Sequence, residues 1–185
     1  GISSKTNLPA KKYKVTIYRD TWGVPHIFGQ TDADAAYGLA YANAEDDLKN
    51  MQDALLAARG KLASVYGKDK APNDYMVHLF EIWRKVDSRY ATDLTSETKR
   101  ICEAYADGVN QYMLDHPGEA FPGVYPIIGK DLVAGFIHKT PLFFGVQNFL
   151  KKMMDRKPEE FKSNSGWWET HQKDREKMVT KGSNV

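Results

Sequence analysis

Residues 33–44, Ala-Asp-Ala-Ala-Tyr-Gly-Leu-Ala-Tyr-Ala-Asn-Ala, constrain the fold more than any other stretch of the chain. Apolar residues recur at helical spacing through Ala35, Ala36, Leu39 and Ala40, then on to Leu48, Met51, Leu55 and Leu56. Side chains this small let a second element approach the helix backbone closely. Thr31 is the predicted N-cap, with Asp32 and Asp34 in the first turn where the helix dipole favours negative charge. Gly60 is the predicted stop, since glycine takes the left-handed conformation that ends many helices.

The segment before this helix reads as β-structure. Tyr13 to Tyr18 alternates with period two, and Asp20-Thr21-Trp22-Gly23 supplies turn chemistry before a second strand over Val24 to Phe28. Pro25 suits an edge or irregular position, because it cannot donate to a ladder. Residues 1–12 are polar and basic and read as a loose arm. Downstream, a short helix runs over Lys61 to Tyr66, and Lys68 to Asn73 forms a polar loop. One helical stretch then places Met76, Leu79, Phe80 and Trp83 on a common face. Leu94-Thr95-Ser96-Glu97 opens a long helix with Ile101, Tyr105, Gly108 and Tyr112 in a stripe, closed at His116-Pro117-Gly118. Asp131 caps a last apolar helix through Ala134, Ile137, Phe144, Phe149 and Met153, which Pro141 interrupts. From Lys151 to Gly182, 15 of 32 residues are Lys, Arg, Asp or Glu, so a solvated connector is expected. The fold class is therefore α+β, mostly helical, with an N-terminal strand or hairpin.

Composition narrows the function classes. At 185 residues with 42% hydrophobic and 27% charged side chains, the chain is that of a folded protein. A net charge of +2, with no basic stripe carrying spaced aromatics, gives no case for nucleic acid. No apolar run reaches the roughly 18 residues needed to span a bilayer. The single Cys102 excludes an internal disulfide and a cysteine-based metal cluster.

Several strings occur in a fixed order: Arg19-Asp20-Thr21-Trp22-Gly23-Val24-Pro25-His26-Ile27, then Gly38-Leu39-Ala40-Tyr41-Ala42-Asn43-Ala44-Glu45-Asp46-Asp47, Ala58-Arg59-Gly60-Lys61-Leu62-Ala63, and Ala104-Tyr105-Ala106-Asp107-Gly108-Val109-Asn110. Together they resemble the small subunit of the penicillin amidase family of N-terminal-nucleophile hydrolases, over about Val15 to Met154. Within that family the pattern is similar to acylases acting on penicillins, acyl-homoserine lactones and aculeacin-like lipopeptides.

The resemblance implies a layout: a flexible arm over 1–12, a small-subunit segment over 13–154, a charged spacer over 155–182 and the start of a large subunit at 183–185. It implies that the small subunit completes an αββα sandwich with its own large subunit. It also gives meaning to Gly182-Ser183, which alone reads as a flexible tail. In this family the precursor cuts itself before a small hydroxyl or thiol residue, so Gly182 and Ser183 are the expected cleavage junction and Ser183 the catalytic nucleophile. The implied activity is hydrolysis of a linear amide, with periplasmic or secreted location. No cofactor and no metal is assigned. The expected partners are the large subunit and a small acyl amide, with neither nucleic acid nor a membrane span.

In resembling enzymes a small-subunit helix closes one side of the acyl pocket, and the matching stretch here is Thr140 to Val146. Leu142, Phe143, Phe144 and Val146 are the candidate substrate-binding residues, with ordinary core packing the competing role for each. Other conspicuous residues have plainer readings. His26 reads as a hydrogen-bonded structural histidine and Cys102 as a packing residue. Arg19-Asp20 reads as an ion pair. Glu45, Asp46 and Asp47 read as carboxylates pointing in different directions along a helix. The rival function is a non-catalytic helical binding module whose Gly-Ser end is incidental.

Overall fold

The computed structural model describes residues 2–7 and 12–155, with side chains from Lys12 onward apart from Gln147 and Met154. Strands β1 (Ile2–Asn7), β2 (Val15–Asp20) and β3 (Pro25–Gly29) form an antiparallel sheet in that order. The alternation seen in the sequence sets the register: Ile17 pairs with Ile27, and Tyr18 with His26. Ile17 is buried, while Tyr18 packs edge-on against the exposed Phe28. Pro25 opens β3, which is an edge strand among the described residues. The region expected as a loose arm contains β1, whose Lys5 and Thr6 pair with Tyr18 and Ile17. Its polar composition hid the strand, because backbone pairing needs no apolar side chains.

The sheet lies against α1 (Asp32–Arg59). Thr31 caps α1 as expected, and the cap is reciprocal. Thr31 Oγ1 accepts from Asp34 N at 3.2 Å, and Asp34 Oδ2 accepts from Thr31 N at 3.0 Å. Burial pushes the Asp34 carboxyl up, but hydrogen bonds from Lys14 N and Thr31 outweigh it and hold the group below the usual carboxylate range. Gly60 ends the helix at φ 65°. The axis breaks once, at Asp47 (φ −160°, ψ 60°), a break the periodicity did not reveal.

The small residues do what their size allows. At Gly38 a Cβ would sit 2.9 Å from the Ile27 methyl, so the sheet rests on bare helix backbone. At Gly108, on α5 (Ser96–Asp115), a Cβ would overlap the Tyr37 carbonyl oxygen and come within 2.9 Å of Ala40 Cβ. Helices α1 and α5 thus cross at a glycine–alanine contact, and the main core forms around it from Ile17, Tyr41, Leu48, Leu56, Ala104, Val109 and Met113. α5 is capped by Thr95, whose Oγ1 accepts from Thr98 N at 3.1 Å.

Between α1 and α5 lie α2 (Leu62–Tyr66), one 3₁₀ turn at Lys68–Lys70, α3 (Ala71–Leu79) and α4 (Ile82–Asp93). The single helical stretch expected through Trp83 is two helices, divided where Glu81 adopts φ 52°. The polar loop expected to run to Asn73 is shorter, because Pro72 starts α3. A second core of Ala58, Val77, Ile82, Val86 and Ala134 joins α3 and α4 to α6 (Gly129–Phe143). The interruption expected from Pro141 falls just beyond it, at Phe144 and at Gly145, whose φ is 71°.

The chain divides into two compact units, 1–147 and 148–185. A final helix, α7 (Val146–Met154), begins at the boundary. No helix among the described residues is long and apolar enough to cross a membrane.

Candidate functional site

Helix α6 buries polar groups on one side and exposes aromatic ones on the other, the reverse of the usual arrangement of a surface helix. Its inner face buries Asp131, Ala134 and His138. Its outer face carries Phe136, 75% exposed, and Phe143, 86% exposed, at the i and i+7 positions. Phe144, the C-cap, is 82% exposed beside them. Thr140 stands between Phe136 and Phe143, and its hydroxyl donates to Phe136 O at 3.0 Å. That bond turns the Thr140 hydroxyl back onto the helix, while Lys139, exposed at the i+3 position from Phe136, is the charged member of the stripe. The surface offers no nucleophile and no base. It can bind an apolar group.

Buried polar contacts hold this helix in place. Asp131, on its first turn, has a side chain 0% exposed and accepts from Ile128 N at 2.9 Å. The same carboxylate takes both arms of Arg59, Nε at 2.7 Å and Nη2 at 2.8 Å. The remaining Arg59 donors reach the carbonyls of Gly123, Val124 and Pro126. One guanidinium thus joins the C-terminus of α1, the 123–128 loop and the start of α6. A planar five-donor fork can do this and an ammonium cannot. Further along, His138 Nε2 lies 2.7 Å from Asn73 Oδ1, and Asn73 Nδ2 donates to Ala57 O at 3.0 Å. Burial, helped by the neighbouring Lys139 charge, holds the His138 imidazole below its ordinary pKa. The sequence marked Asp131 only as a cap and Arg59 only as part of a motif. Their union spans 72 positions, and no local pattern encodes it.

Of the candidate pocket residues, the structure exposes Phe143 and Phe144 together, while Leu142 and Val146 are half-buried. Gly182 and Ser183 lie outside the described residues.

The other conspicuous residues have structural roles. Asp20 Oδ1 accepts from Trp22 N and Val24 N, and His26 Nε2 lies 3.2 Å from Asp20 Oδ2. His26, donating to Asp20, holds that carboxyl below its usual range, with the two backbone bonds assisting. Arg19 reaches across to α1, pairing with Glu45 at 2.6 Å and Asp46 at 2.9 Å. The expectation that these neighbouring carboxylates diverge is thereby corrected: Arg19 lies over the helix between them. Asp47 turns away to Asn50 Nδ2 at 2.6 Å. Cys102 is half-buried, and burial pushes its thiol up, opposite to the activation a nucleophile requires. Among the described residues no cluster of His, Cys, Asp and Glu is disposed to hold a metal ion.

With this geometry in hand, three comparisons identify the family. The penicillin amidase family model matches residues 14–180. A penicillin acylase 2 proenzyme from Pseudomonas sp. (strain SE83) is 31% identical over 130 residues, covering 70% of this chain and 16% of that protein. An acyl-homoserine lactone acylase, QuiP, from Pseudomonas fluorescens is 32% identical over 99 residues, covering 54% of this chain and 12% of that protein. A solved thermostable penicillin G acylase from Alcaligenes faecalis superposes with a TM-score of 0.57 at 27% identity, over 73% of this chain and 76% of that one. The chain thus spans about a sixth or less of these curated relatives, but most of a single chain of the solved acylase. On the match from residue 14 to residue 180, this chain belongs to the penicillin amidase family.

Proposed function

We propose that this chain is the small-subunit portion of an acylase that hydrolyses linear amides through an acyl-enzyme on Ser183. Its spacer covers 155–182, and its large subunit begins at 183. The observation that carries the reading is the continuity of the family match through residue 180, together with coverage of 76% of one chain of a solved acylase. That pattern fits a polypeptide divided in two, with the larger part following. The partner is that larger subunit, which supplies the rest of the αββα sandwich. Relatives named for penicillin and acyl-homoserine lactone substrates make those two amide classes the candidates. Work in the periplasm accords with the same kinship.

The chemistry explains the residue types at the junction. The Ser183 hydroxyl adds to the Gly182 carbonyl, the C–N bond breaks, and the resulting ester is opened by water. A side chain at 182 would crowd that carbonyl. Cleavage frees the Ser183 α-amine, whose unperturbed pKa of about 7.7–8.0 suits a base near neutral pH. In turnover the amine accepts the hydroxyl proton while Oγ adds to the substrate amide. The leaving amine departs protonated, and water releases the acid. One residue is both nucleophile and base, so no histidine is needed beside it. Phe143 and Phe144 form part of the acyl wall.

The test is hydrolysis of a phenylacetyl amide and an N-acyl-homoserine lactone by the product of the full gene. Release of acid from either supports the reading. If neither is cleaved, and no other linear amide is, the enzymatic reading fails and a helical binding module takes its place.

A further inference from the structure

A cavity of about 680 Å³ opens between the end of α1, the α3–α4 turn and the 123–128 loop, a size that suits a small organic ligand. Its walls are mostly apolar. Val77 and Ile82, both buried, line it from α3 and α4, and Tyr125 and Ile128 stand half-exposed on the loop side. Trp83 lines it as well, and its indole N–H is spent on Ala58 O at 2.9 Å, so the ring has only apolar surface to offer. The Arg59 donors are likewise engaged, by Asp131 and the three loop carbonyls.

Charge at the mouth is unbalanced. Of the two carboxylates lining the cavity, Asp131 is matched by Arg59 and Glu81 by Arg84. That leaves the exposed Lys61 ammonium, which has no hydrogen bond or ion pair among the described residues. The His78 imidazole, on α3, has none either. Close packing brings these two groups together. A Cβ built at Gly60, next to Lys61, would lie 3.1 Å from Val77 and 3.4 Å from His78 Nε2. Glu81 is the one non-glycine residue at positive φ among the described residues, a conformation unfavourable to a residue with a Cβ. Its turn puts Trp83 and Arg84 onto the same space as Val77 and His78.

We infer that this cavity binds an aromatic carboxylate, with its ring against Trp83 and Tyr125 and its anion at Lys61 and His78. The lining falls entirely within residues 59–131, so the inference does not rest on chemistry at Ser183. Two aromatic walls favour a ring over an alkyl chain, because rings gain from edge and stacked contacts beyond their buried area. One uncompensated cation favours a single negative charge over a neutral ligand or a polyanion.

The test is calorimetric titration of the protein made from the full gene with 1-naphthylacetate, which has no amide to hydrolyse. Lys61→Glu, a change at an exposed position, should weaken binding about fivefold or more. Tyr125→Ala should weaken it too, whereas Phe144→Ala, in the proposed acyl wall, should leave it unchanged. In the wild type, octanoate and the neutral 2-(1-naphthyl)ethanol should both bind more weakly than 1-naphthylacetate. Wild-type affinity in a folded Lys61→Glu protein, or no binding to the wild type at all, would overturn the inference. Equal affinity for the neutral alcohol would overturn it by removing the role of charge, and tighter binding of octanoate by removing the role of the rings. Weakening by Phe144→Ala alone would place the ligand at the acyl wall and overturn it as well. Each of these outcomes leaves the acylase reading to its own hydrolysis assay.

Discussion

Helices α5 and α6 are neighbours in space and opposites in design. α5 buries Ala104, Gly108, Val109 and Tyr112 against α1 and turns residues such as Glu97, Thr98 and Arg100 to solvent. Its buried face is covered within this chain, with Leu114 the exposed apolar residue near its end. α6 buries Asp131 and His138 on its inner face and leaves phenylalanines outside. A helix that hides its polar groups and shows its aromatic ones accords with the larger subunit proposed above. The contrast locates what this chain finishes alone and what it leaves for others.

The comparison breaks first at the Arg59–Asp131 pair, which fixes α6 to the completed part. Arg59→Met leaves a buried carboxylate with its cation gone and should cost about 3–5 kcal/mol, read as a large fall in the thermal midpoint of the full-length protein. Arg59→Lys should recover only part of that loss, since an ammonium cannot reach the carboxylate and three carbonyls together. On the α5 side, Gly108→Val forces a side chain into the Tyr37 carbonyl and should cost about 1–3 kcal/mol or more by overpacking. A thermal midpoint equal to wild type would contradict the close crossing.

A smaller effect comes from His138. Its pKa is lowered in the folded state by burial, so the unfolded chain takes up the proton first as pH falls. Stability is therefore at its full value above the ordinary histidine pKa of about 6.5 and declines as pH drops through that value toward the lowered one. His138→Gln should flatten this part of the stability–pH curve. An unchanged slope would show that His138 is not the titrating group.

Least costly to the fold are the exposed aromatics. Phe144→Ala should alter stability by no more than about 0.5 kcal/mol, while shifting the ratio of kcat/KM between short and long acyl donors. Equal ratios in wild type and variant would take Phe144 out of the pocket.

Much of this architecture was legible in the chain. Thr31, Gly60 and Thr95 announced helix ends through local chemistry, and the Ala/Gly density of α1 announced a close crossing whose partner proved to be Gly108. Elements without local signals went unread. β1 is polar and is held by backbone pairing, the break at Asp47 leaves the apolar spacing intact, and the left-handed Glu81 divides a pattern that continues across it. The site was legible as residue types rather than as geometry. Phe143 and Phe144 stood out as bulky residues beside a proline and a glycine, but only the fold separates them from the half-buried Leu142. The Arg59 hub joins positions too far apart for any motif to carry.

The account depends on the chain being opened at one peptide bond. Intact-mass and N-terminal sequencing of the protein made from the full gene, alongside its Ser183→Ala variant, tests this most directly. Ser183 should be the first residue of the large subunit in the wild type, and the variant should stay a single uncut chain without amidase activity. A large subunit starting elsewhere, or a variant that matures and turns over normally, would contradict it.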